Sequence, residues 1–209
     1  VARHFTPRYR PWRQRIAFIP DGDFFAPFRD GKAEVVTGTI ARFTETGLVM
    51  QDGTVIEADL VVTATGFDLC VLGDIAFSLD GAPVDFADTV TWQGMMFTGV
   101  PNMVWVMGYF RASWTLRVEM IAGVVCRLLA HMDAAGQRSV TVEIPDRLRG
   151  LEHLPWVAPE SFNPNYLMRD MHLMPRRLDL EAWQHTQDYW SEGDRFAQID
   201  PTDEALVYR

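Results

Sequence analysis

Apolar and polar positions change rhythm along the chain. From residue 33, "AEVVTGTIARFTETGLVMQDGTVIEADLVVTATGF" alternates between the turn signals Glu45-Thr46-Gly47 and Asp52-Gly53. That period predicts strands near 34–37, 39–44, 48–51, 54–57 and 59–64. The last differs, because Leu60-Val61-Val62 is a continuous apolar run, the pattern of a strand covered on both faces. It ends in the small residues Ala64, Thr65 and Gly66, which let another backbone or a ligand come close. In open α/β sheets ligands sit outside such strand ends, although a tight turn packed against a neighbour has the same signature. From about Ala112 to Met132 the period becomes helical. Leu116, Met120, Val124, Leu128 and Met132 recur every four residues, joined by Ile121, Val125 and Leu129. Ser113 suits the N-cap, Gly136 stops the chain, and so apolar a helix is expected to be nearly enclosed by protein.

The remaining segments are shorter. "PDGDFFAPFRDGK" predicts a helix capped by Asp21 or Asp23 and ended by Gly31. Asp80-Gly81 signals a hairpin, and "MMFTGVPNMVWVMGYF" predicts two strands broken at residues 99–102. The second of these, Met103 to Met107, is buried in character and ends at Gly108. "SVTVEIP" (139–145) is a further strand. From there to about Arg177 prolines and aromatics dominate, as in a long ordered wrap or a partner surface, and "LDLEAWQHTQDYW" closes as a helix.

Composition narrows the function classes. A chain of 209 residues, 48% hydrophobic and 22% charged, is a globular protein with ample core. The net charge of −9 argues against nucleic acid as the main partner. No apolar run approaches the roughly 20 residues of a membrane helix, and the first twelve residues carry no signal-peptide core. Cys70 and Cys126, isolated and without CxxC spacing, suggest a reducing compartment, so the cytoplasm is the expected location. Residues 3–15 hold Arg3, Arg8, Arg10, Arg13 and Arg15 with no acid. They form a solvated basic arm, a site for a small anion such as a nucleotide phosphate, or, as a third reading, an RNA-binding arm. The histidines (His4, His131, His153, His172, His185) show no metal-ligand spacing, no metal is expected, and surface or packing roles suit His153 and His185. The methionines Met95, Met96, Met103, Met107 and Met120 suit core filling.

Several stretches together resemble a known family. The meander followed by "GTVIEADLVVTATGF" resembles the end of the NADPH domain in two-dinucleotide-binding flavoproteins, which carry an Ala-Thr-Gly signature where the chain returns to the FAD domain. "PNMVWVMGYFRASWTLRVEM" resembles their closing strand, glycine and helix; "HFTPRYRPWRQR" is similar to the arginine-bearing segment of Baeyer–Villiger and related flavin-containing monooxygenases; "FNPNYLMRDMHLMPRR" resembles their proline-rich tail. The resemblance covers nearly the whole chain, in the family's order. It implies an α/β fold: residues 1–66 as the C-terminal part of an NADPH-binding domain, 67–145 as the C-terminal part of an FAD-binding domain with the long helix, and 146–209 as an aromatic, proline-rich wrap with a terminal helix.

The resemblance also implies a chemistry. FAD and NADPH are the cofactors, and one oxygen atom from O2 passes through a C4a-peroxyflavin to a small carbonyl compound or a sulfur or nitrogen centre. A helix N-terminus presents free N–H groups and partial positive charge, suited to an anionic flavin. That role falls to the backbone after Gly108, around Ala112, Ser113, Trp114 and Thr115, with Ala64, Thr65 and Gly66 near the cofactors. Arg15 is the positional match for the catalytic arginine, with Arg13 as the alternative. In two respects the chain departs from the pattern. It has no GxGxxG, and Tyr109, Phe110 and Arg111 stand where relatives often carry Gly, Ser and Pro. The chain alone is therefore expected to be inactive and to need a missing N-terminal half or an oligomeric partner, with exposed apolar patches marking the contact. The alternative is a non-catalytic interaction module that keeps the flavoprotein half as a scaffold.

Overall fold

The computed structural model describes residues 4–209, so Arg3 lies outside the described residues. The chain divides into two compact units, one of residues 16–67 with the segment up to Pro11, the other of residues 12–15 with 68–209. Its class is mixed α/β: small antiparallel sheets and one long helix.

In the first unit the alternating pattern folds as a three-stranded antiparallel meander, β1 (Ile40–Thr44), β2 (Gly47–Met50) and β3 (Val55–Glu57). Thr44 pairs with Gly47 and Leu48 with Ile56, so the turns fall at Glu45-Thr46 and around Asp52-Gly53 as expected. Residues 34–37 and 59–64 do not form strands. Leu60 and Val62 are 79% and 78% exposed, which corrects the expectation of a covered strand. An apolar run becomes a strand only where neighbours take up its N–H and C=O groups, and the described sheet stops at β3. The predicted helix shrinks to one turn, α1 (Ala26–Arg29), with Pro27 in its first turn. Phe25 precedes it without a side-chain cap bond, so neither Asp21 nor Asp23 caps it. Here Phe24 packs edge-on against Phe28 and Phe5, with centroids 5.2 and 6.1 Å apart.

The second unit is organised around α2 (Trp114–Ala135), flanked by Ser113 and by Gly136, whose left-handed conformation closes the helix as the sequence predicts. The helix is not enclosed. Only Arg117, Ile121, Val124, Leu128 and Met132 are buried, one stripe at helical spacing, while Leu129, about 100° round the helix from Leu128, is 53% exposed. Against the stripe pack Trp92, Met95, Val140, Val142 and Phe196. The supporting strands are β4 (Ser78–Leu79) and β5 (Ala82–Pro83), joined by the Asp80-Gly81 turn, then β6 (Thr91–Trp92) with β7 (Met96–Phe97), and β8 (Val140–Val142).

A second core lies under the proline-rich wrap, where Phe97, Trp105 and Trp156 form a run of rings with centroids 5.5 and 5.0 Å apart. The methionines fill these cores as expected: Met95 and Met96 are fully buried, and Met103, Met107 and Met120 pack at the margins.

Two further expectations are corrected in this unit, the strand at 103–107 and the helix at 178–190. Residues 103–107 make only a single bridge, Met96 to Val104, and alternate between buried Trp105 and exposed Val106. The wrap carries short pieces, β9 (Leu154–Pro155) paired with β10 (Arg176–Arg177), and α3 (Asn165–Asp170). Finally, 178–190 is not a helix. It holds a single 3-10 turn at Glu181–Trp183, and the last helix, α4 (Tyr189–Ala197), begins where the Asp188 carboxylate accepts from the N–H groups of Trp190 and Ser191. The chain ends in β11 (Leu206–Tyr208), paired with β8.

The buried stripe of α2 and its exposed flank give a test. In this chain Leu128→Ala should destabilise the second unit by about 2–5 kcal/mol, and Leu129→Ala by no more than about 0.5 kcal/mol. Urea unfolding of the two variants measures this, and equal losses would contradict the observed helix face.

Candidate functional site

An arginine occupies the apolar stripe of α2. Arg117 is fully buried, and every N–H of its guanidinium has an acceptor. Nε donates to Glu192 Oε2 at 2.9 Å and Nη2 to Glu192 Oε1 at 3.3 Å. The remaining bonds go to backbone carbonyls, Gln93 (2.6 Å), Gly94 (3.4 Å) and Met107 (2.9 Å). Glu192, on α4, is equally buried and also accepts from Tyr109 Oη at 2.5 Å and from Arg195 Nη2 at 2.9 Å. The guanidiniums of Arg117 and Arg195 both lie over the Phe196 ring, 5.3 and 5.7 Å from its centre. A buried carboxylate with all its lone pairs engaged, facing a fork of donors, is the arrangement in which charges are tolerated inside a protein. Burial, strengthened by the bond to Glu192, pushes the Tyr109 phenol far above its ordinary range, so it stays a donor at any working pH.

The same segment is gripped at its other polar groups. Phe110 N–H donates to Gln187 Oε1 at 2.8 Å, which orients the amide, so Gln187 Nε2 donates to His185 Nδ1 at 3.0 Å. The His185 proton therefore resides on Nε2. His185 lies among Trp156, Phe110 and Tyr109, with ring centres 4.7, 5.7 and 6.4 Å away. Burial, aided by the charge of Arg117, holds its imidazole well below the ordinary histidine value, against the opposing backbone of Gly108. Gly94 permits the whole assembly. A Cβ there would stand 2.8 Å from His185 Cβ and 3.1 Å from Arg117 Nη2, and its φ is +59°.

The sequence-predicted residues divide between the two units. Arg13, Arg15, Gly108, Ser113, Trp114 and Thr115 belong to the second; Ala64, Thr65 and Gly66 belong to the first, where all three are exposed. Arg15 Nη1 donates to the Phe110 carbonyl at 3.5 Å, which brings the arginine to the segment that enters α2. The Arg13 carbonyl accepts from Asn163 N–H at 2.8 Å, fixing the arm to the wrap. At Gly108 the close neighbour is Trp114, whose ring would lie 2.4 Å from any Cβ. Ser113 makes no side-chain cap bond to the helix; its hydroxyl lies 2.8 Å from that of Thr115, and Ser113, Trp114 and Thr115 are exposed. The first turn of α2 thus presents uncapped N–H groups at an open surface. A cavity of about 240 Å³ lined by Trp156, Ser161, His185 and Gln187 lies nearby, too small for a dinucleotide.

Arg117, Glu192, Tyr109 and Gln187 do not stand out in the sequence reading. One signal was available: with the stripe set at 117, 121, 124, 128 and 132 instead of 116 and 120, an arginine falls on the apolar face and requires a buried acid elsewhere.

No protein-family model matches the chain. Curated relatives do. The FAD-containing monooxygenase EthA of Mycobacterium tuberculosis is 41% identical over 90% of this chain and 38% of its own length. EthA of Mycolicibacterium smegmatis is 39% identical over 100% of this chain and 41% of its own length. A protein of Acinetobacter baylyi named probable FAD-binding monooxygenase AlmA is 40% identical over 91% and 37%, respectively. The chain therefore spans about two fifths of the length of the relatives it matches.

The depressed His185 gives a signed pH dependence. Below about pH 6.5 the unfolded chain takes up a proton that the folded state refuses, so stability falls as pH drops through that value, by at most about 1.4 kcal/mol per pH unit. Urea midpoints between pH 7.5 and 5.5 should fall less steeply in His185→Gln. Equal slopes would contradict a buried neutral imidazole.

Proposed function

We propose that this chain, homologous to FAD-containing monooxygenases, is the C-terminal portion of an FAD- and NADPH-dependent enzyme. The enzyme transfers one oxygen atom from O2 to a small ketone or aldehyde, or to a sulfur or nitrogen centre. The observation that carries the reading is the meeting of Arg15 with the entry to α2: a guanidinium bonded to the Phe110 carbonyl, three residues before an uncapped helix N-terminus.

The residues present fit a flavin. The open first turn at Ser113, Trp114 and Thr115 offers N–H groups and roughly half a unit of positive charge to an electron-rich ring edge. Bound FAD, reduced by NADPH, supplies the redox and oxygen-activating chemistry. The chain supplies fixed positive charge: Arg15 stabilises anionic character beside the helix terminus, and its position is held by the arm's attachment to the wrap through Arg13 and Asn163. Trp114 covers Gly108, so the helix turn and not the glycine is the contact surface. Ala64, Thr65 and Gly66 suit a close approach at the NADPH side, since a Cβ on Gly66 would meet nothing within 4 Å. The rest of both dinucleotide sites, glycine-rich loops included, is assigned to the remainder of the protein. The exposed Leu60-Val61-Val62 run supports a surface that this remainder covers. Among the described residues no helix is long and apolar enough to cross a membrane.

In the complete protein, Arg15→Ala should leave flavin reduction by NADPH intact and lower product formation by about a hundredfold or more. Stopped-flow absorbance and product analysis measure the two steps separately. Normal product formation would refute the role of Arg15, and loss confined to Arg13→Ala would transfer that role to Arg13.

A further inference from the structure

The buried cluster holds more than the helix. Three residues of the segment that leads into α2, Met107, Tyr109 and Phe110, are fixed by side chains from other parts of the chain. The Met107 carbonyl accepts from Arg117, Tyr109 donates to Glu192, Phe110 N–H donates to Gln187, and the Phe110 carbonyl accepts from Arg15. Two of these partners, Gln187 and Glu192, come from the last 25 or so residues, and Glu192 lies on α4 beside Arg195, which also donates to the Glu181 carbonyl at 2.6 Å. Phe110 is further stacked on Phe162 of the wrap, 4.7 Å apart and within 6° of parallel. This set of bonds fixes the position of the segment as well as burying it. Burying a carboxylate costs several kcal/mol unless its partners are all in place, and here one of those partners is the Tyr109 hydroxyl.

We infer that Glu192 is a positioning residue: through Tyr109, the C-terminal helix sets the Met107–Phe110 segment and hence the start of α2. The catalytic meaning of this role rests on the proposed reading of that segment as flavin-facing. Glu192 touches neither cofactor nor substrate in this arrangement. It acts through the phenol, whose bond to a carboxylate held by two arginines has only one direction, tyrosine as donor. The segment matters because a helix N-terminus acts over about one turn, so a shift of an ångström at Tyr109 re-aims the free N–H groups of Trp114 and Thr115.

The test uses Tyr109→Phe, which removes one hydroxyl and leaves the Arg117–Glu192–Arg195 set intact, with Glu192→Gln as the stronger variant. Amide hydrogen exchange in this chain should accelerate about tenfold or more at Met107 and Phe110 in Tyr109→Phe, while amides of Ile121 to Met132 keep their protection. Acceleration throughout α2 would show simple destabilisation, and unchanged exchange at Phe110 would show that the bond does not position the segment; either overturns the inference. In the complete protein the same variant should consume about threefold more NADPH per product formed. Loosened exchange with unchanged coupling would keep the positioning role and remove the flavin-facing reading, so the two are separated.

Discussion

The second unit depends on one buried ion pair. Arg117 and Glu192 are both fully inaccessible, and between them they tie α2, the β6–β7 turn, the Met107–Phe110 segment and α4 together. Breaking such a pair by removing one partner costs about 3–5 kcal/mol, because the other charge stays buried, a large part of what a domain of this size has in reserve. The β6–β7 turn is bonded to the same arginine. Gln93 adopts a positive φ of 53° and Gly94 one of 59°, turning their carbonyls toward Arg117. A non-glycine residue in that region needs support from its surroundings, and the guanidinium provides it.

This arrangement gives the C-terminal wrap a definite role. Its aromatics complete the second core around Trp156, and its polar side chains reach past that core to the entrance of α2. Bonds that set orientation and bring positive charge converge on Phe110. Arg15 reaches its carbonyl from the N-terminal arm, Gln187 reaches its N–H from the tail, and Arg117 sets the residues just before it.

How much of this could be read in the sequence depended on whether the signal was local. The Asp80-Gly81 hairpin, the meander turns and the Gly136 end of α2 follow from residues within a few positions of each other, and they appear as expected, whereas Ser113 stands at the start of α2 without the expected cap bond. Leu60-Val61-Val62 and Val106 have strand-like sequence, but a strand exists only with a partner, and none pairs with them among the described residues. The displaced last helix was legible in principle, since Asp188 is a good N-cap residue and Gly193 did not prevent a helix from running on to Ala197. At the candidate site, the arginines of the arm and the helix start were readable from residue type and order. The Arg117–Glu192 pair was not, because its members stand 75 residues apart and neither has a local pattern that names the other.

In the proposed reading the first turn of α2 faces a flavin in the complete protein. Amide hydrogen exchange of the complete protein, stripped of FAD and then reloaded, tests it most directly, because the N–H groups of Trp114, Thr115 and Leu116 have no acceptor one turn back within the helix. FAD should slow exchange at these three amides. Protection confined to residues outside this chain, with Trp114 to Leu116 exchanging at the same rate in both states, would contradict it.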